Sequence, residues 1–297
     1  MFEGYSDDFI TLPNGITLRV RSAGNGPAVL LLHGYPQTHV IWHKMAPLLV
    51  GAGFRVVLPD LRGYGDSSKP ASEPDHSTYS KREMAKDQVL LMDHLGFDRF
   101  AVVGHDRGAR VAHRLARDWS DRVSALCVMD IAPTEYMYAN TNMSFATGYF
   151  HWFFLIQPAP LPEQMINADP EFWLRTEIAA WSQGNTAAFT DEAMEEYVRC
   201  FAKQGGVHAT CEDYRASATI DLEHDKANQG RKLTMPVQAL WGANGLVGRS
   251  YDVTGVWSDY AEHVEGQPVP GGHFLPEEAP NETAEALISF LNRNADA

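Results

Sequence analysis

Short apolar runs that alternate with helical segments are the feature that most restricts the fold of this chain. Five runs of four or five residues are almost uninterrupted in apolar character, which is typical of strands buried on both faces. They cover residues 28–32, 55–58, 100–103, 125–129 and 237–241. Segments with helical periodicity, such as residues 81–95 and 108–119, lie between them. The alternation predicts an α/β fold with a mostly parallel central sheet covered by helices.

The beginning of the chain predicts a β-hairpin. Residues 9–12 and 17–20 flank the dipeptide Asn14-Gly15, which favours the tight turns that join antiparallel strands. We therefore expect two antiparallel strands before the parallel part of the sheet.

The alternation stops between residues 134 and 225. This segment is rich in aromatic residues, methionine and proline, and it contains helical stretches such as residues 191–201. Alternation resumes at Pro236 and ends in a predicted helix over residues 281–292. We predict a core domain of residues 1–133 and 226–297, with residues 134–225 inserted as a helical cap over the carboxyl ends of the strands.

The overall charge limits the classes of partner. The formal net charge of the 297-residue chain is −14, and this argues against a nucleic-acid partner, which needs a clustered basic surface. Any site for a small anion must therefore supply local positive charge. No apolar run approaches the roughly 18–20 residues that span a bilayer, and no leader pattern is visible, so the expected compartment is the cytoplasm. The three cysteines form no CxxC pair, which argues against a disulfide framework or a structural zinc site.

The run from Val102 to Gly108 has the pattern strand, Gly-x-nucleophile-x-Gly, helix. Glycines two residues before and two after the central position permit a sharp turn that exposes the central side chain above the sheet. That residue is Asp106, so the predicted nucleophile is a carboxylate that attacks carbon and forms an ester. The alternative is a Gly-rich turn with a capping aspartate.

An ester intermediate requires a base that activates water, and histidine suits this role near neutral pH. His273 lies in a Pro-Gly-Gly-His-Phe loop before the last helix, although a loop histidine is often only a surface residue. The orienting acid that often follows the strand beginning near Pro236 is missing, because residues 226–251 contain no Asp or Glu. Asp130 closes the preceding strand, and we assign it as the orienting acid, with a cap or turn role as the alternative.

The loop after the first parallel strand has the sequence His33-Gly34-Tyr35-Pro36. Its position predicts an oxyanion hole formed by the backbone N–H groups of Tyr35 and Arg107. His33 is expected to be structural.

Arg107 and Arg110 border the predicted nucleophile, about one helical turn apart. Positive neighbours lower the pKa and nucleophilicity of an aspartate, which is useful only if the substrate carries its own carboxylate. We predict that both arginines bind a substrate carboxylate; structural salt bridges are the alternative.

The predicted cap offers His151, Trp152 and Tyr214, each with an N–H or O–H donor on a mostly apolar side chain. Such donors suit a pocket for a departing halide. An aromatic stripe in a helical segment is also common in core packing.

Taken together, these motifs resemble the fluoroacetate dehalogenases of the α/β-hydrolase superfamily, from about residue 3 to the end of the chain. The resemblance includes Gly-His-Asp-Arg-Gly-x-Arg at residues 104–110, His-Trp at 151–152, Asp-Tyr-Arg at 213–215 and Gly-Gly-His-Phe at 271–274. It also includes residues 33–36, 60–65 and 157–160. Tyr35 stands where the family often has phenylalanine, a change that leaves the backbone N–H intact and can alter the pocket.

The resemblance implies an α/β-hydrolase fold, a homodimer and a full set of site residues. The implied roles are nucleophile for Asp106, base for His273, orienting acid for Asp130, carboxylate binding for Arg107 and Arg110, halide binding for His151, Trp152 and Tyr214, and pocket lining for Trp181. The expected reaction converts a small 2-haloacid, such as fluoroacetate, to a 2-hydroxy acid and halide, with no metal or cofactor.

Two other functions stay open at this point. An epoxide hydrolase uses the same aspartate and histidine with cap tyrosines such as Tyr214, but a neutral epoxide does not need Arg107 and Arg110. A non-catalytic receptor for a small carboxylate would keep the pocket without turnover. A haloalkane dehalogenase is disfavoured because tryptophan commonly follows its nucleophile, where this chain has Arg107.

Overall fold

The computed structural model describes residues 1–295 and contains one eight-stranded sheet. The strands are β1 (Ser6–Thr11), β2 (Thr17–Ala23), β3 (Ala28–Leu32), β4 (Arg55–Pro59), β5 (Phe100–His105), β6 (Val123–Met129), β7 (Val237–Gly242) and β8 (Val264–Val269). All five apolar runs are strands, and β3, β5 and β6 are buried at every position. The first two strands form the predicted antiparallel hairpin.

The order of the strands is β1-β2-β4-β3-β5-β6-β7-β8. β2 pairs with β4 in antiparallel orientation, and every later pairing is parallel. The mostly parallel sheet predicted from the apolar runs is therefore confirmed. Its parallel strands end at the same edge, where a site assembled from several loops is expected.

Helices cover the sheet and connect its strands. They are α1 (Ala46–Gly51), α2 (Lys81–His94), α3 (Arg107–Asp118), α12 (Leu246–Ser250), α13 (Val253–Ser258), α14 (Leu275–Glu278) and α15 (Pro280–Asn294), numbered in chain order. α2 packs against α3, and α1 packs against α15. Ser80 caps α2, since its hydroxyl accepts the backbone N–H of Glu83 at 3.3 Å.

Only helices occur between β6 and β7. They are α4 (Thr134–Ala139), α5 (Met143–Gly148), α6 (His151–Phe154), α7 (Leu161–Asn167), α8 (Pro170–Trp181), α9 (Asp191–Phe201), α10 (Gly206–Ala218) and α11 (Ile220–Ala227). Short 3-10 helices at His39–Trp42, Ser77–Tyr79, Ser120–Arg122 and Thr186–Ala188 complete the secondary structure of the described chain. We propose residues 134–225 as a separate cap domain on the core formed by residues 1–133 and 226–297.

Two further features of the described residues concern membrane-spanning helices and cysteines. Within residues 1–295 no helix is both long and apolar enough to cross a membrane. The cysteines Cys127, Cys200 and Cys211 are all buried free thiols.

Candidate active site

A sharp turn between β5 and α3 presents Asp106. Its backbone has φ 48° and ψ −117°, a strained conformation for a residue with a side chain. The glycines on each side are required by close packing. A Cβ on Gly104 would lie 2.4 Å from Ala109 Cα, and a Cβ on Gly108 would lie 2.2 Å from the carbonyl oxygen of His33. The geometry is that of a nucleophile elbow.

The two carboxylate oxygens of Asp106 have different surroundings. Oδ1 accepts the backbone N–H of Tyr35 at 3.0 Å, whereas Oδ2 lies 3.9 Å from Nε2 of His273. Burial alone would raise the pKa of Asp106, but the nearby positive charges of His273, Arg107 and Arg110 lower it on balance. Asp106 is therefore an anion whose Oδ2 lies beside His273.

His273 is held by the acid at the end of β6. Its Nδ1 lies 2.6 Å from Oδ2 of Asp130, and the other oxygen of Asp130 accepts the backbone N–H of Gly242 at 3.0 Å. Burial opposes the charged imidazolium, but the hydrogen bond and charge of Asp130 raise the pKa of His273 overall. Asp130 directly follows β6, one strand before β7, which lies in the stretch of residues 226–251 that contains no Asp or Glu. Its side chain nevertheless reaches His273.

Arg107, the first residue of α3, is fully buried and forms a two-point ion pair with Asp213 of α10. Its Nε and Nη2 donate to the carboxylate of Asp213 at 3.0 and 2.9 Å, and its guanidinium lies over the ring of Tyr214 at 4.0 Å. Asp213 also accepts the hydroxyl of Tyr64 at 2.6 Å and contacts the ammonium group of Lys81. Nη1 of Arg107 is buried and has no hydrogen-bond partner among the described residues. The structural and ligand-binding interpretations of Arg107 are therefore compatible, because one edge is paired and Nη1 is free.

Arg110 is also buried but has no ion-pair partner within residues 1–295. Its Nη1 donates to the carbonyl oxygen of Ala132 at 3.1 Å and to the hydroxyl of Thr134 at 2.9 Å, and its guanidinium lies 4.6 Å from the ring of Trp152. Its Nε is buried without a partner. Burial is the largest influence on the pKa of Arg110 and lowers it, as does Arg107. The charge of Asp106 opposes this shift of the pKa but forms no ion pair with Arg110. A buried guanidinium without a paired anion is costly unless a ligand supplies one.

Two donors from the predicted cap lie close together without partners. The hydroxyl of Tyr214 and Nδ1 of His151 are both buried and have no hydrogen-bond partner in the part of the chain that the structure describes, and their rings are 5.5 Å apart. Burial holds the pKa of His151 well below its usual value, so the ring is neutral and carries one N–H. Buried polar atoms normally find a partner, and their exceptions often mark ligand sites. These two donors are thus available to a small anion.

Three aromatic side chains enclose the same space. Trp181 lies 4.3 Å from His151 and 5.6 Å from His273, measured between ring centroids, and Tyr35 lies 5.5 Å from Tyr214. Trp152 is buried beneath Arg110 and packs against Tyr138 at 5.0 Å. The structure therefore brings the ten predicted site residues into one region where the predicted cap meets the carboxyl edge of the sheet.

Three contacts could not be inferred from sequence patterns. The hydroxyl of Tyr149 lies 3.3 Å from Nδ1 of His273. The indole N–H of Trp173 donates to the hydroxyl of Tyr35 at 2.5 Å. The third contact is the ion pair of Asp213 with Arg107. Of Tyr149, Trp173 and Asp213, only Asp213 was marked by a sequence motif, the Asp-Tyr-Arg of residues 213–215, and that motif did not indicate the partner of Asp213. His33 is structural as expected, because its Nε2 accepts the backbone N–H of Leu61 at 3.0 Å.

One group of side chains has the composition of a metal site. Asp66, Glu196 and Cys200 lie within ligand reach of one another, but their carboxylates already pair with Arg199, at 2.7 Å for Asp66 and 2.5 Å for Glu196. These side chains belong to a surface ion-pair network that shares no residue with the region around Asp106.

Comparisons with a family model and with known proteins agree on one family. The model of the alpha/beta hydrolase fold matches residues 27–280. A fluoroacetate dehalogenase from Burkholderia sp. is 42% identical, covering 98% of this chain and 95% of its own. A soluble epoxide hydrolase from Corynebacterium sp. (strain C12) is 34% identical, covering 94% of both chains.

A solved structure agrees with this family. A putative alpha/beta hydrolase from Nostoc sp. PCC 7120 is 55% identical with a TM-score of 0.96, covering 98% of this chain and 99% of its own. The predicted α/β-hydrolase fold is confirmed by the sheet, by the family model and by these relatives. The chain belongs to the α/β-hydrolase family.

Proposed function

We propose that this protein hydrolyses the carbon–halogen bond of a small 2-haloacid, with fluoroacetate as the leading candidate substrate. The observation that carries the proposal is Arg110, a buried guanidinium beside Asp106 that has no ion-pair partner among the described residues. A substrate carboxylate would compensate this charge, together with the free Nη1 of Arg107. The similarity to a fluoroacetate dehalogenase supports the same substrate class.

In the first step, Oδ2 of Asp106 attacks the α-carbon of the haloacid. The new carbon–oxygen bond forms as the carbon–halogen bond breaks, and the halide leaves with the bonding electron pair. The two arginines hold the carboxylate so that the α-carbon faces Oδ2. The donors of His151, Trp152 and Tyr214 stabilise the departing halide, which matters most for fluoride because it is small and strongly hydrated.

In the second step, Nε2 of His273 accepts a proton from water, and the hydroxide attacks the ester carbon of Asp106. The oxyanion forms on Oδ1, where the N–H of Tyr35 already donates at 3.0 Å. The N–H of Arg107 joins it, since the first N–H groups of a helix lack intrahelical partners. Collapse of this intermediate breaks the bond between Cγ of Asp106 and its original Oδ2, which takes the proton from His273 and leaves in the 2-hydroxy acid. The oxygen of water stays in the carboxyl group of Asp106, which releases the second proton to solvent. Neither step requires a metal or cofactor.

The test follows halide and hydroxy acid together. Purified protein and its Asp106→Asn variant are incubated with fluoroacetate and, separately, with chloroacetate; free halide is read by ion-selective electrode and glycolate by chromatography. We expect wild type to release equal amounts of halide and glycolate and the variant to release none. Chloride without fluoride would retain the mechanism but restrict the leaving group, whereas no halide from either acid would overturn the proposal.

An epoxide hydrolase is the second candidate because the unpaired hydroxyl of Tyr214 can protonate an epoxide oxygen and because one relative is a soluble epoxide hydrolase. It leaves the buried charge of Arg110 unexplained. Diol formation from styrene oxide, without halide release from haloacids, would select it. Tight binding of a carboxylate with no product from either class would instead indicate a receptor.

We further propose that the protein acts as a homodimer in the cytoplasm on a small molecule, without a nucleic-acid or membrane partner. Among residues 1–295, eight large hydrophobic side chains are exposed, and five of them belong to the proposed cap, at Met143, Phe150, Leu161, Met165 and Phe172. This concentration favours a contact between two caps.

A further inference from the structure

A cavity of about 550 Å³ leads from the protein surface to His273. Its inner wall includes His273, Tyr149 and Trp181, which are buried. Its outer wall includes Phe172, whose exposed fraction is 68%, and the exposed residue Arg249. Because the lining changes from exposed to buried residues and ends at the catalytic base, the cavity has the position of a substrate entrance.

One face of α8 forms part of this entrance. Trp173, Glu177 and Trp181 all line the cavity, and their spacing of four residues places them on one side of the helix. Glu177 is only 3% exposed, and its carboxyl group forms no hydrogen bond or ion pair with any of residues 1–295. A carboxyl group between two indoles, inside a path to the active site, is unusual because carboxylates are rarely buried without partners.

No charged neighbour stabilises Glu177 as an anion. The titratable or charged groups that line the cavity or contact this face are Tyr35, Tyr149, His151, His273 and Arg249. The helix α9, which packs against α8, adds Tyr197 and Cys200 on its buried face. Burial holds the pKa of His151 well below its usual value, so its ring is neutral. Both Tyr35 and Tyr149 have pKa values raised well above normal by burial, so they are neutral. Tyr197 donates its hydroxyl to Glu277, and burial raises the pKa of Cys200 to about 12.

Two of these groups can carry positive charge, and neither is paired with Glu177. Nδ1 of His273 is bound to Asp130, and Arg249 forms no ion pair within the described chain. Burial therefore acts unopposed and raises the pKa of Glu177 to about 8. The side chain is a neutral acid at pH 7 and becomes an anion in mildly alkaline solution.

We propose that this cavity is the entrance for a carboxylate substrate and that Glu177 controls it by its charge. The uncharged side chain admits the anion, and the ionised side chain repels it in a low-dielectric passage. Unpaired Arg249 at the outer rim supplies the attraction that draws a carboxylate toward a protein whose net charge is −14. The inference rests on the proposed haloacid substrate and assigns Glu177 a role in specificity, outside the bond-breaking steps.

The test measures kcat and KM for chloroacetate between pH 6.5 and pH 9.5 in wild type, Glu177→Gln and Glu171→Gln. Glu171→Gln is the matched control, since it makes the same replacement at an exposed position on α8, where Glu171 pairs with Arg175. We expect kcat/KM of wild type and Glu171→Gln to fall about fivefold or more between pH 7 and pH 9, whereas kcat, which follows His273, should change with pH in the same way in all three proteins. In Glu177→Gln, kcat/KM should stay level over that range.

A second measurement covers the case in which Glu177→Gln does not fold. Trp173 and Trp181 flank Glu177, so tryptophan fluorescence of wild type should report its ionisation, with a midpoint that coincides with the fall in kcat/KM. Parallel pH profiles for all three proteins, or fluorescence and kinetic midpoints that differ by more than one pH unit, would overturn the role of Glu177 while leaving halide release intact. Absence of halide release from wild type at pH 7 would overturn both this inference and the proposed function.

Discussion

At the scale of single residues, the site is defined by polar atoms that the protein leaves unpaired. Nη1 of Arg107, Nε of Arg110, Nδ1 of His151 and the hydroxyl of Tyr214 are all buried and lack partners within residues 1–295. Each costs stability in the free protein, because a buried donor without an acceptor loses its hydration. A haloacid has the two groups, carboxylate and halogen, that would accept from them.

The charge of Arg110 should matter more than its packing. Arg110→Met keeps much of the contact with Trp152 and removes the guanidinium, so we expect kcat/KM for chloroacetate to fall about 30-fold or more, which corresponds to about 2 kcal/mol or more. Steady-state halide release measures the effect. Arg293→Met is the control, because Arg293 is an exposed arginine paired with Glu265. Equal kinetics in the two variants would contradict carboxylate binding by Arg110.

The pH dependence of turnover should follow His273. Only the neutral imidazole accepts a proton from water, so turnover rises with pH as His273 loses its proton, and Asp130 places that rise above the usual pKa of histidine. Asp130→Asn removes the hydrogen bond and the charge. We expect the rise to move to lower pH, and the plateau rate to fall about 10²- to 10⁴-fold because the imidazolium loses its stabilising partner.

A single turnover separates the two steps in Asp130→Asn. One equivalent of halide should still appear rapidly, since the attack by Asp106 does not use His273, and the ester should then accumulate and be visible by mass spectrometry of the intact protein. A loss of the first equivalent, with no ester, would contradict the assigned order of steps.

At the scale of elements, the site depends on the contact of α3 with β3. Gly108 lies against the end of β3, and a Cβ there would also be 2.4 Å from the carbonyl oxygen of Leu32. The same turn sets the strained backbone of Asp106 and the start of α3. Close packing of this helix against the sheet therefore holds Asp106 in position.

Replacement of Gly108 by alanine should disturb both stability and activity. We expect the free energy of unfolding to fall by about 2–3 kcal/mol, because the clashing atoms are backbone atoms of a central strand and cannot move cheaply. Urea denaturation followed by circular dichroism measures the change. Gly51→Ala is the control, since a Cβ at the end of α1 meets nothing within 4 Å, and it should be neutral or slightly stabilising. Equal midpoints for both variants would refute the packing argument.

At the scale of the whole molecule, the proposed homodimer makes the exposed apolar residues of the cap a measurable surface. Leu161 and Met165 are four residues apart on α7 and are 51% and 60% exposed. If this face is the contact, Leu161→Lys with Met165→Lys should convert a dimer to a monomer in sedimentation velocity, since charges at the centre of an apolar interface are strongly unfavourable. Phe9→Lys, at a 60% exposed position of β1, should leave the dimer intact. A wild-type monomer would refute the dimer itself.

Much of this molecule follows from the sequence, because local patterns encode local structure. The apolar runs at 28–32 and 100–103 predicted buried strands, and Asn14-Gly15 predicted the hairpin, since side-chain alternation and turn residues act over a few positions. Gly104 and Gly108 around Asp106 predicted the elbow for the same reason. The position of His273 was a prediction from its loop, and the tertiary structure shows it 3.9 Å from Asp106.

Other features were decided only by tertiary structure. The sequence pattern alone did not predict that Asp213, 106 residues away in the chain, would occupy one edge of Arg107. Nor did it predict that Arg110 would have no ion-pair partner within residues 1–295. Both features depend on contacts between distant segments. The state of Glu177 depends on burial between Trp173 and Trp181 in a cavity, and burial is a property of the packed fold. The sequence therefore determined which groups are candidates for the chemistry, while packing over long separations determined which of them are paired and which are charged.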